Sequence, residues 1–168
     1  MALSSEMEKV YNEQITRELG SGHQYLAFSA WFDSEGLPGM AHWMRLQADE
    51  ERDHAMRIFQ FVLDRDGKVS LGAIGAPETD FTHPVDVFER ALAQEQAVTA
   101  SIYVLYAMAV DTGDFASVPL LDWFVKEQVE EEATVQQIID DLRRAGAEGH
   151  ALLMLDRELG ARTAAGSP

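Results

Sequence analysis

Glu18, Glu51, His54, Glu95, Gln128 and Glu131 have the side-chain types and spacing to hold metal ions in this 168-residue chain. Each lies on an apolar stripe of helical period. Glu18 shares a face with Tyr11, Ile15, Gly22 and Tyr25, and Glu51 with Met44, Ala48, His54, Ala55 and Ile58. Glu95 falls among Phe88, Ala91, Leu92, Val98 and Ile102, while Gln128 and Glu131 interrupt Leu121, Phe124, Val135 and Ile138. Stripes of this period face a core. A carboxylate there is costly unless something positive meets it. No Lys or Arg stands three, four or seven residues from any of the four glutamates, so none has a same-face basic partner on its own helix. A bound cation is the compensating charge the pattern asks for.

The elements that carry these residues are long. A first helix is predicted from Ser5, with Ser5 and Glu8 as a capping box, to about Ser34. Gly36, Leu37 and Pro38 make a tight connection to a second helix that ends near Asp66, with Gly67 as a left-handed cap. Lys68 to His83, with two glycines and Pro77, reads as a loop. A third helix starts at Pro84 and ends near Asp111. A fourth runs from about Phe115 to Ala145, and a fifth, shorter one from about Glu148 to Gly160 before a small-residue tail, 161–168. The fold class is all-α, a bundle over about 5–145 within one domain, 1–168. Four helices near 30 residues would each span roughly 45 Å. Short connections make helices one and two antiparallel, and likewise three and four. The loop of about 16 residues can reach about 50 Å, enough to run the length of the bundle and set helices two and three parallel.

Depth supplies a second argument. Each candidate ligand lies within about four residues of its helix midpoint, or roughly 6 Å along the axis. The side chains should therefore converge at one level. A single glutamate on an apolar stripe is usually a rim residue, and a lone E-x-x-H pair is common on helices. Four such interruptions at one depth are not explained that way. Oxygen-rich ligation with an imidazole favours iron or manganese over a structural zinc site. Glu18, Glu51 and His54 could hold one ion, Glu95 and Glu131 the other, with Glu51 bridging and Gln128 offering a neutral oxygen. Two adjacent ions permit two-electron chemistry on dioxygen or peroxide.

Composition narrows the partners. The 29 acidic and 13 basic residues give a formal charge of -16, which argues against nucleic acid, since phosphate backbones are bound by Lys and Arg. There is no cysteine, which excludes disulfides, thiolate zinc sites and iron–sulfur clusters. The longest apolar run, Ile102 to Val110, is too short to span a bilayer. A soluble cytoplasmic protein is the expectation.

The chain resembles the bacterial non-haem ferritins over almost its whole length. The resemblance rests on Asn12 to Leu19, an N-E-Q-x-x-x-E-L segment, on Ala48 to His54, on Glu95-Gln96, and on Trp123 to Glu132. It implies a ferroxidase centre of Glu18, Glu51, His54, Glu95, Gln128 and Glu131. It also implies a third iron site mapping onto Glu50, Glu127, Glu130 and Glu131, and Tyr25 as electron donor. Fe(II) would be oxidised by dioxygen or hydrogen peroxide and stored as ferric mineral in a homo-oligomeric shell of 24 subunits. Read from the residues alone, Tyr25 is ordinary core, Glu127 and Glu130 an acidic surface, and Trp123 packing. Bacterioferritins place a haem-binding Met after the second-helix glutamate, where this chain has Arg52, so no haem is expected. They also repeat E-x-x-H on the fourth helix, where Gln128 and Glu131 stand here. The remaining alternative is a bacterioferritin-like or other di-iron oxidase or peroxidase that stores no mineral.

Overall fold

The structure is a computed structural model describing residues 2–146 and 149–164. It contains α1 (Ser5–Ser34), α2 (Pro38–Asp64), α3 (Pro84–Asp111), α4 (Val118–Ala145) and α5 (Gly149–Gly160), and no strand among the described residues. The four long helices form the bundle; α5 packs against α2 and α4.

Two apolar clusters fill the bundle and fix its topology. One takes Tyr25, Phe28 and Phe32 from the late part of α1, Met40, Trp43 and Met44 from early α2, Val87, Phe88 and Ala91 from early α3, and Val135 to Leu142 from late α4. The other takes Met7, Tyr11 and Ile15, then Ala55, Ile58 and Val62, then Val98 to Ala109, then Leu121 and Phe124. Hence α2 and α3 run one way and α1 and α4 the other. The expected crossover is present, and Glu18, Glu51, Glu95 and Glu131 fall between the two clusters.

The crossover is held to α1 by side chains that replace a sheet partner. Asn12 donates Nδ2 to the Lys68 carbonyl at 2.8 Å and accepts from Ser70 N at 2.8 Å. Thr16 Oγ1 accepts from Gly72 N, and the Gln24 amide both donates to the Glu78 carbonyl and accepts from Glu78 N, each at 2.8 Å. These bonds satisfy backbone groups that no regular element serves.

The element ends differ from the sequence expectation in four places. Ser4, not Ser5, caps α1, accepting from Met7 N. Glu8 is drawn away to accept from Lys68 N, a contact 60 residues distant. At the end of α2 the left-handed residue is Asp66, at φ 56°, rather than Gly67. Gly67 N instead reaches back to the Val62 carbonyl at 2.9 Å, closing the helix as a Schellman-type bond. Finally, α4 starts at Val118 because residues 114–117 form turns, which leaves Pro119 in the first helical turn. The start expected for α5, Glu148, lies outside the described residues.

Candidate metal centre

The mid-bundle layer is a closed polar island. Glu18, Glu51, His54, Glu95, Gln128 and Glu131 are all buried, none above 7% exposed. Amphipathic stripes on four helices bring them there, between the two apolar clusters. The ligand atoms of Glu18, Glu51 and His54 lie within 4.8 Å of one another, as do those of His54, Glu127 and Glu131. His54 thus belongs to an inner and an outer group at once.

Some of the oxygens are held by neighbours. Gln14 Nε2 donates to Glu18 Oε1 at 2.7 Å, Tyr25 OH to Glu95 Oε1 at 2.5 Å, and Gln47 Nε2 to Glu131 Oε2 at 2.8 Å. Gln128 Nε2 lies 3.2 Å from both Glu95 Oε2 and the Glu95 carbonyl. The rest are unserved: Glu18 Oε2, both carboxylate oxygens of Glu51, His54 Nδ1 and Gln128 Oε1 have no hydrogen-bond partner. Buried acceptors in that condition are rare and costly. Their lone pairs define the space a cation would fill.

The electrostatics point the same way. Burial pushes the Glu51 carboxyl well above its ordinary range, and repulsion from Glu95 and Glu18 adds to it. Burial also raises Glu18, with the neighbouring Glu51 carboxyl and the Gln14 bond opposing; a proton shared between the two carboxyls would serve oxygens that otherwise have no donor. Glu95 is pushed up to about 7 by burial, the bonds from Tyr25 and Gln128 opposing. Glu131 rises to about 8 through burial and then Glu95, with the Gln47 bond opposing. Without metal, several of these groups keep protons at neutral pH. His54 goes the other way, to about 4, through burial and the nearby Arg57. It is therefore neutral, with a free ring-nitrogen lone pair as metal ligation requires.

Oxygen donors in excess over one imidazole, with no thiolate, suit hard or borderline first-row ions. The residues thus fit iron, and the burial leaves little room for a bulky organic substrate beside them.

Comparison with known proteins agrees with this geometry. The ferritin-like domain family matches residues 8–145. The chain belongs to the ferritin family. Among relatives of this ferritin, the bacterial non-heme ferritin of Staphylococcus aureus is 37% identical over 161 residues, covering 96% of this chain and 97% of that one. The Staphylococcus epidermidis bacterial non-heme ferritin is 38% identical over the same span. Among solved structures, a closed form of the Archaeoglobus fulgidus ferritin engineered by site-directed mutagenesis superposes with a TM-score of 0.95 at 42% identity, covering 97% and 99% of the two chains. The open-pore ferritin of that archaeon gives 0.94 at 42% identity, covering 96% and 98%.

The peripheral candidates separate in the fold of this ferritin. Tyr25 is fully buried and touches the centre through Glu95. Trp123 lies edge-on to the His54 ring at 5.4 Å, with the Arg57 guanidinium 3.9 Å over its face. Glu127 joins the outer group with Glu131 and His54. Glu130 is exposed and lies 3.8 Å from Lys126 on its own helix, and Glu50 is taken by Arg162. Sequence reading had missed Gln14, Gln47 and Arg162. Gln14 and Gln47 each stand four residues before a ligand, a signal that was available; Arg162 had none.

Proposed function

We propose that this ferritin takes up Fe(II) as a pair at the mid-bundle layer, oxidises it there, and stores the ferric product inside a shell of 24 subunits. The observation that carries the reading is the set of orphaned buried acceptors: Glu18 Oε2, both oxygens of Glu51, His54 Nδ1 and Gln128 Oε1, with no positive side chain among them. Glu18, Glu51 and His54 would hold one iron, Glu95 and Glu131 the other, with Glu51 between and Gln128 as a neutral oxygen.

The chemistry follows from the residues. Carboxylates bind metal ionised, so iron entry expels the protons that burial keeps on Glu95 and Glu131. Anionic oxygen donors favour the ferric over the ferrous state, which makes the pair easier to oxidise. Each Fe(II) loses one electron. The two electrons with two protons convert dioxygen to hydrogen peroxide, or hydrogen peroxide to two waters. Tyr25, whose phenol is bonded to Glu95, would act as an alternative reductant, one electron and one proton from it replacing one Fe(II) in either reduction. Release of the ferric ions restores the protonated resting layer.

Assembly is supported by apolar side chains left on the outside of the subunit, including Leu26, Tyr103, Val104, Phe115, Val129, Leu153 and Met154. No helix among the described residues is long and apolar enough to cross a membrane, so a shell in solution, in the cytoplasm, is the setting we infer. The test uses the assembled protein. Ferrous oxidation followed by the ferric absorbance should be at least tenfold slower in Glu51→Ala and in His54→Ala, with helicity unchanged. Wild-type rates in either would reject the site. A wild type that oxidises iron yet elutes small and retains none after aerobic loading would instead be an oxidase without storage.

A further inference from the structure

Besides Arg57 on α2, a second guanidinium near the centre comes from beyond the bundle. Arg162 follows α5, and its backbone and side chain are held along α2: its carbonyl lies 3.0 Å from His42 Nε2, and its guanidinium sits 4.9 Å over the Trp43 ring. α5 itself is latched to the start of α2, where Asp156 Oδ1 accepts from Met40 N at 2.8 Å. Gly39 lets the helices meet, since a Cβ there would fall on the Asp156 carbonyl oxygen.

So tethered, the guanidinium makes two kinds of contact. Its Nη2 grips both oxygens of Glu50, at 3.0 and 2.7 Å, in a pair whose side chains are only 27% and 19% exposed. Its Nη1 donates to Gln47 Oε1 at 2.5 Å, and the other end of that amide donates to Glu131 Oε2 at 2.8 Å. An amide has one accepting and one donating end. By claiming the oxygen, Arg162 settles that the NH2 faces Glu131. Glu127 and Glu131 both feel the Glu50 charge, and Glu131 that of Arg162 as well. Arg162 therefore adds a fixed cation beside Glu50 and Glu131 on the outer side of His54, where Arg57 and Lys126 already act on Glu127.

We propose that Arg162 is an internal competitor for divalent cations: it holds Glu50 out of coordination and, through Gln47, occupies Glu131 Oε2, so that a third ion binds beside Glu127 only by displacing it. The inference rests on the proposed pair site and assigns the chain its order of filling. The inner layer has no resident cation and fills first. The outer carboxylates must exchange a bidentate ion pair for a metal. Arginine suits the role because it stays charged at any working pH and its two terminal nitrogens hold Glu50 and Gln47 at once.

Isothermal titration of the assembled, iron-free protein with Zn(II) tests this without redox turnover. Wild type should bind two ions per subunit tightly and a third weakly. In Arg162→Gln the third should bind about tenfold more tightly, equivalent to about 1.4 kcal/mol. Arg162→Lys, which keeps the charge, should stay within about threefold of wild type, and Arg162→Gln combined with Glu50→Gln should lose the gain. Mere loosening of the tail would weaken metal binding, so the sign separates competition from a structural role. An unchanged or weaker third ion in Arg162→Gln overturns the inference, as does an equal gain in Arg162→Lys or a gain that survives Glu50→Gln. A wild type that binds no pair at all sinks the proposed centre along with it; a pair bound with no gain sinks the Arg162 role alone.

Discussion

In the metal-free protein the mid-bundle layer should be a source of instability that grows with pH. Glu131 is carried from an ordinary value near 4.5 to about 8, and Glu95 from 4.5 to about 7. Their folded values lie above their unfolded ones. Between those limits the folded state therefore holds more protons than the unfolded chain, and stability falls as pH rises. The loss begins above about pH 4.5 and is complete once pH passes 8. At about 1.4 kcal/mol per tenfold, ionising Glu131 costs roughly 5 kcal/mol and Glu95 roughly 3 kcal/mol. The Glu95 charge supplies part of the Glu131 rise, so the two ionisations are not independent, and only part of their loss falls within a given pH interval. A loss of about 4 kcal/mol corresponds to a fall of roughly 10 °C in Tm for a chain of this size. We expect that fall in the chelator-treated protein between pH 5.5 and 8.5, read by circular dichroism at one scan rate. Glu131→Gln, which keeps the shape and the Gln47 neighbour but cannot ionise, should remove about half of it. Saturating Zn(II) should raise Tm most at pH 8.5, where ligands need shed fewest protons. A metal-free Tm that stays level or climbs from pH 5.5 to 8.5 would refute the reasoning, and so would a Glu131→Gln variant with the wild-type slope.

The other consequences are more local. Tyr25→Phe deletes the 2.5 Å bond to Glu95 and leaves that carboxylate held by Gln128 alone; Zn(II) titration should then show pair binding weakened about threefold to tenfold, and unchanged affinity would deny Tyr25 a part in setting Glu95. Gly39→Ala puts a methyl group on the Asp156 carbonyl, so α5 has to leave its seat. Protease cleavage near residues 160–164 should be faster than in wild type, and equal resistance would mean that the latch lies elsewhere.

The sequence made the inner centre legible because its residues break a local rule. A glutamate on an apolar stripe is an anomaly that can be seen without coordinates, and four at one depth point to one place. Tyr25 and Trp123 break no rule, being apolar-faced aromatics on core-facing helices, so only the Glu95 bond and the His54 edge contact distinguish them. The bundle topology was legible for a related reason, since helix length and one long glycine-bearing loop leave few ways to close. The path of that loop was not. It depends on Asn12, Thr16 and Gln24, which on their own helix are unremarkable polar residues and become meaningful only when a strand of backbone passes them.

Arg162 marks where local reading stops, and the reason is geometric. A same-helix search for a counter-charge asks which cations lie three, four or seven residues away, and it returned none. That answer was correct for Glu18, Glu51 and Glu95, whose surroundings contain no guanidinium within hydrogen-bond reach. It could not foresee a cation 112 residues from Glu50, because that contact exists only after α5 has crossed Gly39 and been pinned by Asp156. The same tertiary step explains why the competitor spares the inner layer. Held over Trp43 and beside His42, the guanidinium bonds Glu50 and Gln47, and it reaches Glu131 by its charge and through the Gln47 amide. A centre that needs vacant lone pairs inside and a neutralised rim outside is thus built from two kinds of residue, those that violate the helical pattern and those that arrive from elsewhere to contain the violation.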